Sequence, residues 1–297
     1  MSKAPQHHLA PSESGPPVAR RLGRTGAVVF ALGLALCASP VLAQPSDDLT
    51  GHVDAGETGS NWSFDARNPG LELHPPGPAN FDFPLVLDDN SVEGEFGFDD
   101  GLGNARQFLW FNQFDLDPLP KIELEEIWVF FSPGPNIAPG AAIDLVVYHD
   151  VDDDPTNGAD VLAVYPETIQ TADGIHFSIY PLPAPLTLPR GGDVLVGVIP
   201  RFIESGVTSP TNPAALDTTA SQGQSWVALW TGDPPASPDL PSDQFIDRVD
   251  VFVPGNWAIR AFGSVQPVVE VPTLGQGALA ALALLLVGAA AVRLRRS

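Results

Sequence analysis

Between Phe81 and Ser264 the chain is written in short apolar runs separated by turn residues. "RQFLWFNQFDL", "AAIDLVVYHD", "DVLAVYPETI", "IHFSIYPL", "QSWVALW" and "NWAIRAFG" are rich in β-branched and aromatic residues, the composition of strands. In "AAIDLVVYHD" the alternation is clean: Ile143, Leu145 and Val147 fall on one side, and Asp144, Val146 and Tyr148 on the other. "GDVLVGVIPRF" is apolar at both parities, which predicts a central strand covered on both faces. "KIELEEIWVFFS" changes parity midway. Ile122 and Leu124 share one phase, and Ile127, Val129 and Phe131 share the other. A β-bulge at Glu125-Glu126 restores a single inward face and sends Trp128 and Phe130 to the second face.

No stretch of ten or more residues in this region shows helical periodicity free of Pro or Gly, and the chain holds 28 Gly and 32 Pro in 297 residues. Gly and Pro at this density suit many short strands joined by turns. The expected fold is all-β: an antiparallel two-sheet β-sandwich of jelly-roll type over residues 81–264, with one C-terminal transmembrane helix. Residues 44–80 form a Gly/Pro-rich segment, read either as a linker or as edge strands around Asn61-Trp62-Ser63-Phe64. Residues 265–273 read as a linker.

Both ends depart from this pattern. Residues 1–43 read as a signal peptide: Arg20, Arg21 and Arg24 precede the apolar stretch Gly26 to Cys37, and Val41-Leu42-Ala43 offers a cleavage site for signal peptidase between Ala43 and Gln44. Cys37, the single cysteine, lies in that stretch, so the mature body has no disulfide and no thiolate metal site. At the other end, Leu274 to Val292 holds only Gln276 as a polar side chain. As a helix at about 1.5 Å per residue it reaches across the roughly 30 Å hydrocarbon core. Arg293, Arg295 and Arg296 follow and place residues 274–297 with their basic tail inside and the body outside.

The tail Val271-Pro272-Thr273-Leu274, apolar helix and arginine cluster resembles the IPTL-CTERM sorting signal, a relative of the PEP-CTERM signals read by exosortase-type membrane enzymes. The resemblance covers the last 27 residues, with Val271 where the family usually has Ile. It implies membrane insertion, cleavage near Pro272 and Thr273 by an exosortase-like enzyme, and delivery to the cell surface. In the body, "FDDG", "GDVLVGV" and "GNWAIRA" resemble, loosely, bacterial jelly-roll surface modules.

Charge narrows the partners. Between the two ends stand 7 basic and 35 acidic residues, a net of −28, which repels nucleic-acid phosphates and anionic lipid surfaces. The densest acidic turn is "HDVDDDPTNGAD". Its Asp150, Asp152, Asp154 and Asn157 are hard oxygen donors suited to Ca²⁺, or else they satisfy the backbone of a solvated hairpin. An EF-hand register from Asp150 fails, with Pro155 at the glycine position and Val161 at the final carboxylate position. Asp99 and Asp100 form a second, weaker candidate. His149 and His176 are isolated and make no zinc site. Trp110, Trp226 and Trp230 read as core residues or as a stacking platform for glycans. The body has no nucleophile elbow, phosphate-binding glycine loop or His-Glu-x-x-His motif, so no enzymatic role is expected. The expectation is an exported surface protein with a structural or adhesive role in envelope or matrix. The alternative is a carbohydrate-binding module, Ca²⁺-dependent if the acidic turn holds the ion.

Overall fold

The computed structural model describes residues 49–53, 60–74, 81–117, 119–204, 211–266, 284–286 and 293–295. The chain divides into residues 1–44 and 45–297, and every described residue lies in the second unit. Ala43, Gln44, Pro272 and Thr273, the expected processing positions, lie outside the described residues. Of 274–297 the description covers six residues, and among the described residues no helix is long and apolar enough to cross a membrane.

Among the described residues the architecture is mostly antiparallel β, and the hydrogen bonds define three sheets where the pattern predicts two. A five-stranded sheet orders β1 (Leu49–Val53), β2 (Ser60–Glu72), β4 (Ser91–Asp99), β11 (Ala214–Asp217) and β14 (Asn256–Trp257). A six-stranded sheet orders β13 (Phe245–Arg248), β12 (Ser225–Leu229), β5 (Leu109–Asp115), β10 (Asp193–Ile199), β7 (Ala142–Asp150) and β8 (Asp160–Thr168). A four-stranded sheet orders β3 (Phe83–Leu85), β15 (Ile259–Val265), β6 (Ile122–Val129) and β9 (Ser178–Thr187). Residues 60–72 of the Gly/Pro-rich segment thus form β2, which pairs with β4 from Asn61↔Asp99 to Glu72↔Ser91.

The third sheet arises because one strand changes partners. β14 pairs with β11, and β15, starting two residues on, pairs with β6. Ala258 stands between them. Its N–H donates to the Ala215 carbonyl at 3.0 Å, and its own carbonyl accepts from Phe130 N–H at 3.0 Å. The five- and four-stranded sheets therefore meet along a single continuous backbone.

One core draws on the inward faces of all three sheets. Phe64, Phe96 and Leu216 come from the first sheet, Trp110, Leu145 and Val196 from the second, and Leu124, Ile127 and Ile259 from the third. Each such side chain contributes about 1.5–3 kcal/mol on burial. In β6, Glu125 is the extra residue against β15, whose consecutive Phe262 and Gly263 pair with Glu126 and Leu124; against β9 the same step is a wider break, from Leu186 to Pro181. That bulge places Ile122, Leu124, Ile127 and Val129 together in the core, while Trp128 and Phe130 pack on the other face with Phe177 and Phe262. β9 carries Pro181, Pro183 and Pro185 and is the edge of its sheet, where a residue without an N–H is tolerated.

β10 is buried along its whole length. Its inward residues join the main core. On the outer face Leu195 and Ile199 pack with Phe111, Tyr148, Trp226, Trp230 and Leu240. The segment after Trp230 covers this face, with Tyr148 Oη donating to the Pro238 carbonyl at 2.8 Å.

Candidate functional site

The acidic turn leaves β7 at Asp150 and returns in β8 at Asp160. Its side chains mostly serve its own backbone. Asp154 Oδ1 accepts from Thr156 N–H at 3.1 Å and from Thr156 Oγ1 at 2.6 Å. Asn157 Nδ2 donates to Asp152 Oδ2 at 2.8 Å, and Asp150 Oδ1 accepts from Asp152 N–H at 3.2 Å. Asp150, Asp152 and Asn157 are thus linked in one chain of hydrogen bonds, while Asp154 is engaged by Thr156.

Asp150 is the exception in this turn. It is fully buried, and its Oδ2 has no hydrogen-bond partner. Burial pushes its carboxyl up to about 6, with the neighbouring Asp152 and Asp193 charges adding to the shift. The Asn157 amide holds Asp152 below its ordinary value. Asp193 opens β10 opposite Asp150 in the ladder, and on its other side it faces Asp115 of β5. Burial raises Asp193 as well. Gln113 Nε2 donates to Asp193 Oδ2 and, at 3.1 Å, to the Asp153 carbonyl, which ties the turn to the sheet. Gly192 has φ +68°, and a Cβ there would lie 2.1 Å from the Asp150 carbonyl oxygen; only glycine lets the two chains close at this point.

Asp193 and Gln113 are the partners that local sequence reasoning misses. Each belongs to a strand remote in sequence from the turn, and only the register β5–β10–β7 brings them to it. Among the described residues no three His, Asp or Glu side chains are gathered into a ready metal cage.

The other candidates resolve as structure. Asp99 Oδ1 accepts from Gly101 N–H at 2.6 Å. Asp100 Oδ1 accepts from Leu102 and Asn104 N–H, and its Oδ2 from Asn104 Nδ2 at 2.7 Å; the Asn104 bond lowers its carboxyl. His149 Nε2 contacts the Gly191 carbonyl at 2.8 Å, and the exposed His176 pairs with Asp173 at 2.7 Å. The three tryptophans do not form a platform. Trp110 sits in the main core, while Trp226 and Trp230 belong to the cluster on the other face of the six-stranded sheet. Trp226 is stacked on Phe111 and donates through Nε1 to Gln113 Oε1 at 2.7 Å. All three are buried, which corrects their reading as a glycan surface.

Two shallow hollows flank the acidic row. One of about 350 Å³ is lined by His149, Asp152, Asn157, Asp160 and Leu240 among others. The second, about 320 Å³, includes Gln113, Asp115, Gln222 and Gln224.

No family model matches the chain. No curated protein matches it either. Among solved structures it is similar to the cysteine protease and lectin-like domains of Cwp84, a surface layer associated protein of Clostridium difficile. Identity is 14% and the TM-score 0.44, over 64% of this chain and 37% of that one. A second structure of the clostridial cysteine protease Cwp84, after propeptide cleavage, gives the same identity and TM-score over 41% of its length. The chain thus spans well under half of these structures.

Proposed function

We propose that this protein is an exported β-sandwich of jelly-roll type that serves at the cell surface as a non-enzymatic envelope or matrix component, brought there by its C-terminal sorting signal. The observation that supports a structural role over a glycan-stacking one is the burial of the aromatic residues. Trp110, Trp128, Trp226, Trp230 and Trp257 are buried, and Trp62 packs against the main core. The large aromatic surfaces are packed inside, and the chain between its two ends carries a net charge of −28. A strongly acidic exterior keeps a surface component soluble and apart from nucleic acid.

The route is the part most open to direct test. Signal peptidase removes residues 1–43, the helix of residues 274–297 holds a single-pass intermediate in the inner membrane, and an exosortase-like enzyme cuts near Pro272-Thr273. Mass spectrometry of the mature protein, joined to cell fractionation, checks each step. The expected termini are Gln44 and a residue near Thr273, with the product in the outer envelope or medium. A chain lacking residues 274–297 is expected in the soluble fraction. If that truncated chain still pellets with membranes, the anchor lies elsewhere and the proposed route fails.

The hollow at His149, Asp152, Asn157 and Asp160 favours a second reading, a carbohydrate-binding module, since hydroxyl-rich ligands are held by such carboxylate, amide and imidazole groups. A glycan array probed with and without calcium decides it. Retention of a defined glycan supports this reading, and an empty array removes it.

A further inference from the structure

Three aspartates stand in one row across three adjacent strands. Asp193 of β10 is in register with Asp115 of β5 on one side and with Asp150 of β7 on the other. The row lies on the face that also carries Phe111, Leu195 and Tyr148, two or four residues along the same strands. Like charges directly opposite one another in a ladder destabilise it, and burial multiplies the cost. Asp150 and Asp193 are buried and Asp115 stays exposed, and Gln113 Nε2 ties the 151–158 turn to this end of the sheet through the Asp153 carbonyl. Arg67, Arg201 and Arg260 pair with Glu95, Asp144 and Asp88 instead, so these cations are engaged elsewhere. The Gln113 amide neutralises part of the demand at Asp193, and nothing donates to Asp150 Oδ2.

A fully buried carboxylate oxygen without a partner, beside a second buried carboxylate, asks for a positive charge. We propose that Asp150, Asp193 and Asp152 bind a hard divalent cation, calcium, which seats the 151–158 turn on the end of the six-stranded sheet. The three acidic groups do not yet surround one point, so the ion completes the site by drawing Asp152 off Asn157, with backbone carbonyls and water filling its shell. Calcium suits such a mixed shell because it accepts six to eight oxygens in flexible geometry, whereas magnesium demands a tighter octahedron and gives up water reluctantly. The ligands come from two strands and the turn. This separates the proposal from a turn-only loop, in which Asp154 would be a ligand. It also stands apart from the surface role, because the site is a feature of the fold whatever the protein's destination.

The test uses the purified full-length chain stripped with a chelator. Thermal melting with millimolar calcium is compared with sodium at matched ionic strength and with magnesium. Calcium is expected to raise Tm by several degrees, magnesium by less, and sodium by no more than screening gives. Asp150→Asn and Asp193→Asn each abolish the calcium increment, and Asp154→Asn leaves it in place. Terbium luminescence sensitised by the nearby Trp226, and its displacement by calcium, reads the same site in the unmutated chain should a variant fail to fold. Coincident calcium and sodium curves overturn the proposal. So does loss of the increment in Asp154→Asn with retention in Asp193→Asn. If the stripped protein melts higher at pH 5 than at pH 7 and calcium adds nothing at either, a proton holds the row and there is no cation site.

Discussion

Asn112 and Gln113 are neighbours on β5, and each is the hub of a buried polar cluster, one on either face of the six-stranded sheet. Asn112 points into the main core. Its Nδ2 donates to the Trp257 carbonyl at 2.9 Å and to the Ile259 carbonyl at 3.0 Å, and its Oδ1 accepts from Ser225 Oγ at 2.6 Å. Ser225 Oγ in turn accepts from Trp257 N–H at 3.0 Å. These are the backbone groups on either side of Ala258, where the strand leaves one sheet for another. The strand change frees two carbonyls, and Asn112 reaches across the core to satisfy both. Gln113, on the other face, has all its groups engaged too, yet its cluster contains charges and ends at the unpartnered Asp150 Oδ2. The difference shows two uses of buried polarity. A neutral, satisfied network fixes a topology that an apolar core would leave undetermined. An acidic, unsatisfied one makes the local structure answer to what the solvent supplies, proton or ion.

The largest expected effect breaks the inner cluster. Asn112→Leu keeps the branching and heavy-atom count of the side chain and removes both donations, leaving the Trp257 and Ile259 carbonyls buried without donors. At about 1–3 kcal/mol for each stranded group, the loss is about 3 kcal/mol. Urea denaturation, with the slope compared between variant and parent, measures it. A loss below about 1 kcal/mol would mean that water replaces the amide and that Asn112 does not define the strand change.

The acidic cluster has the opposite sign. Asp150 is raised to about 6 in the folded chain, and so is Asp217, which is buried beside Asp89 and Glu93. An unfolded aspartate titrates near 4. Between about pH 4 and pH 6 the folded state therefore keeps protons that the unfolded state has lost, and rising pH favours unfolding. Chelated protein is expected to lose stability across that window. Asp150→Asn is expected to remove the Asp150 share of that loss and to stabilise the chelated protein at pH 7. Asp173, exposed and held to about 2 by His176, works the other way: its stabilisation is present above pH 4 and fades as pH falls toward 2. Denaturation midpoints taken from pH 3 to pH 8 check the profile. A flat curve for the parent would show that the Asp150 carboxylate is solvated.

These two clusters also mark the limit of what the chain discloses when read as text. The parity shift in "KIELEEIWVFFS" is local, and it places the Glu125 bulge and both faces of β6 correctly. The double-sided apolar pattern of "GDVLVGVIPRF" is local as well, and β10 is buried on both faces. The acidic turn is visible because its residues are contiguous, although half of them serve its own backbone. What escapes is set by register between distant strands. Nothing near Asp193 points to Asp150, 43 positions earlier, and nothing near Asn112 points to Trp257. The third sheet escapes for the same reason, since the change of partner at Ala258 depends on where β11 and β6 end. Trp226 and Trp230 share a parity that fits an exposed stripe and a buried one equally well. The segment that covers them, through Pro238 and Leu240, has no strand pattern to announce it.

The smallest expected effect tests whether the inner cluster acts as a unit. Ser225→Ala removes one hydroxyl that donates to Asn112 and accepts from the Trp257 amide. Asn112 keeps both donations to the carbonyls, so the strand change itself survives. The cost is the stranded Trp257 N–H and one unused oxygen lone pair, about 1 kcal/mol. The informative quantity is the coupling with Asn112→Leu. In that background the Ser225 hydroxyl has already lost its acceptor, so truncating it removes less. The double variant is expected to lose less stability than the two singles together, by about 0.5–1 kcal/mol, within the range seen for residues in one hydrogen-bond network. Strict additivity would mean that Ser225 and Asn112 stabilise the core independently. The satisfied cluster would then be two separate bonds, and its contrast with the acidic row would rest on charge alone.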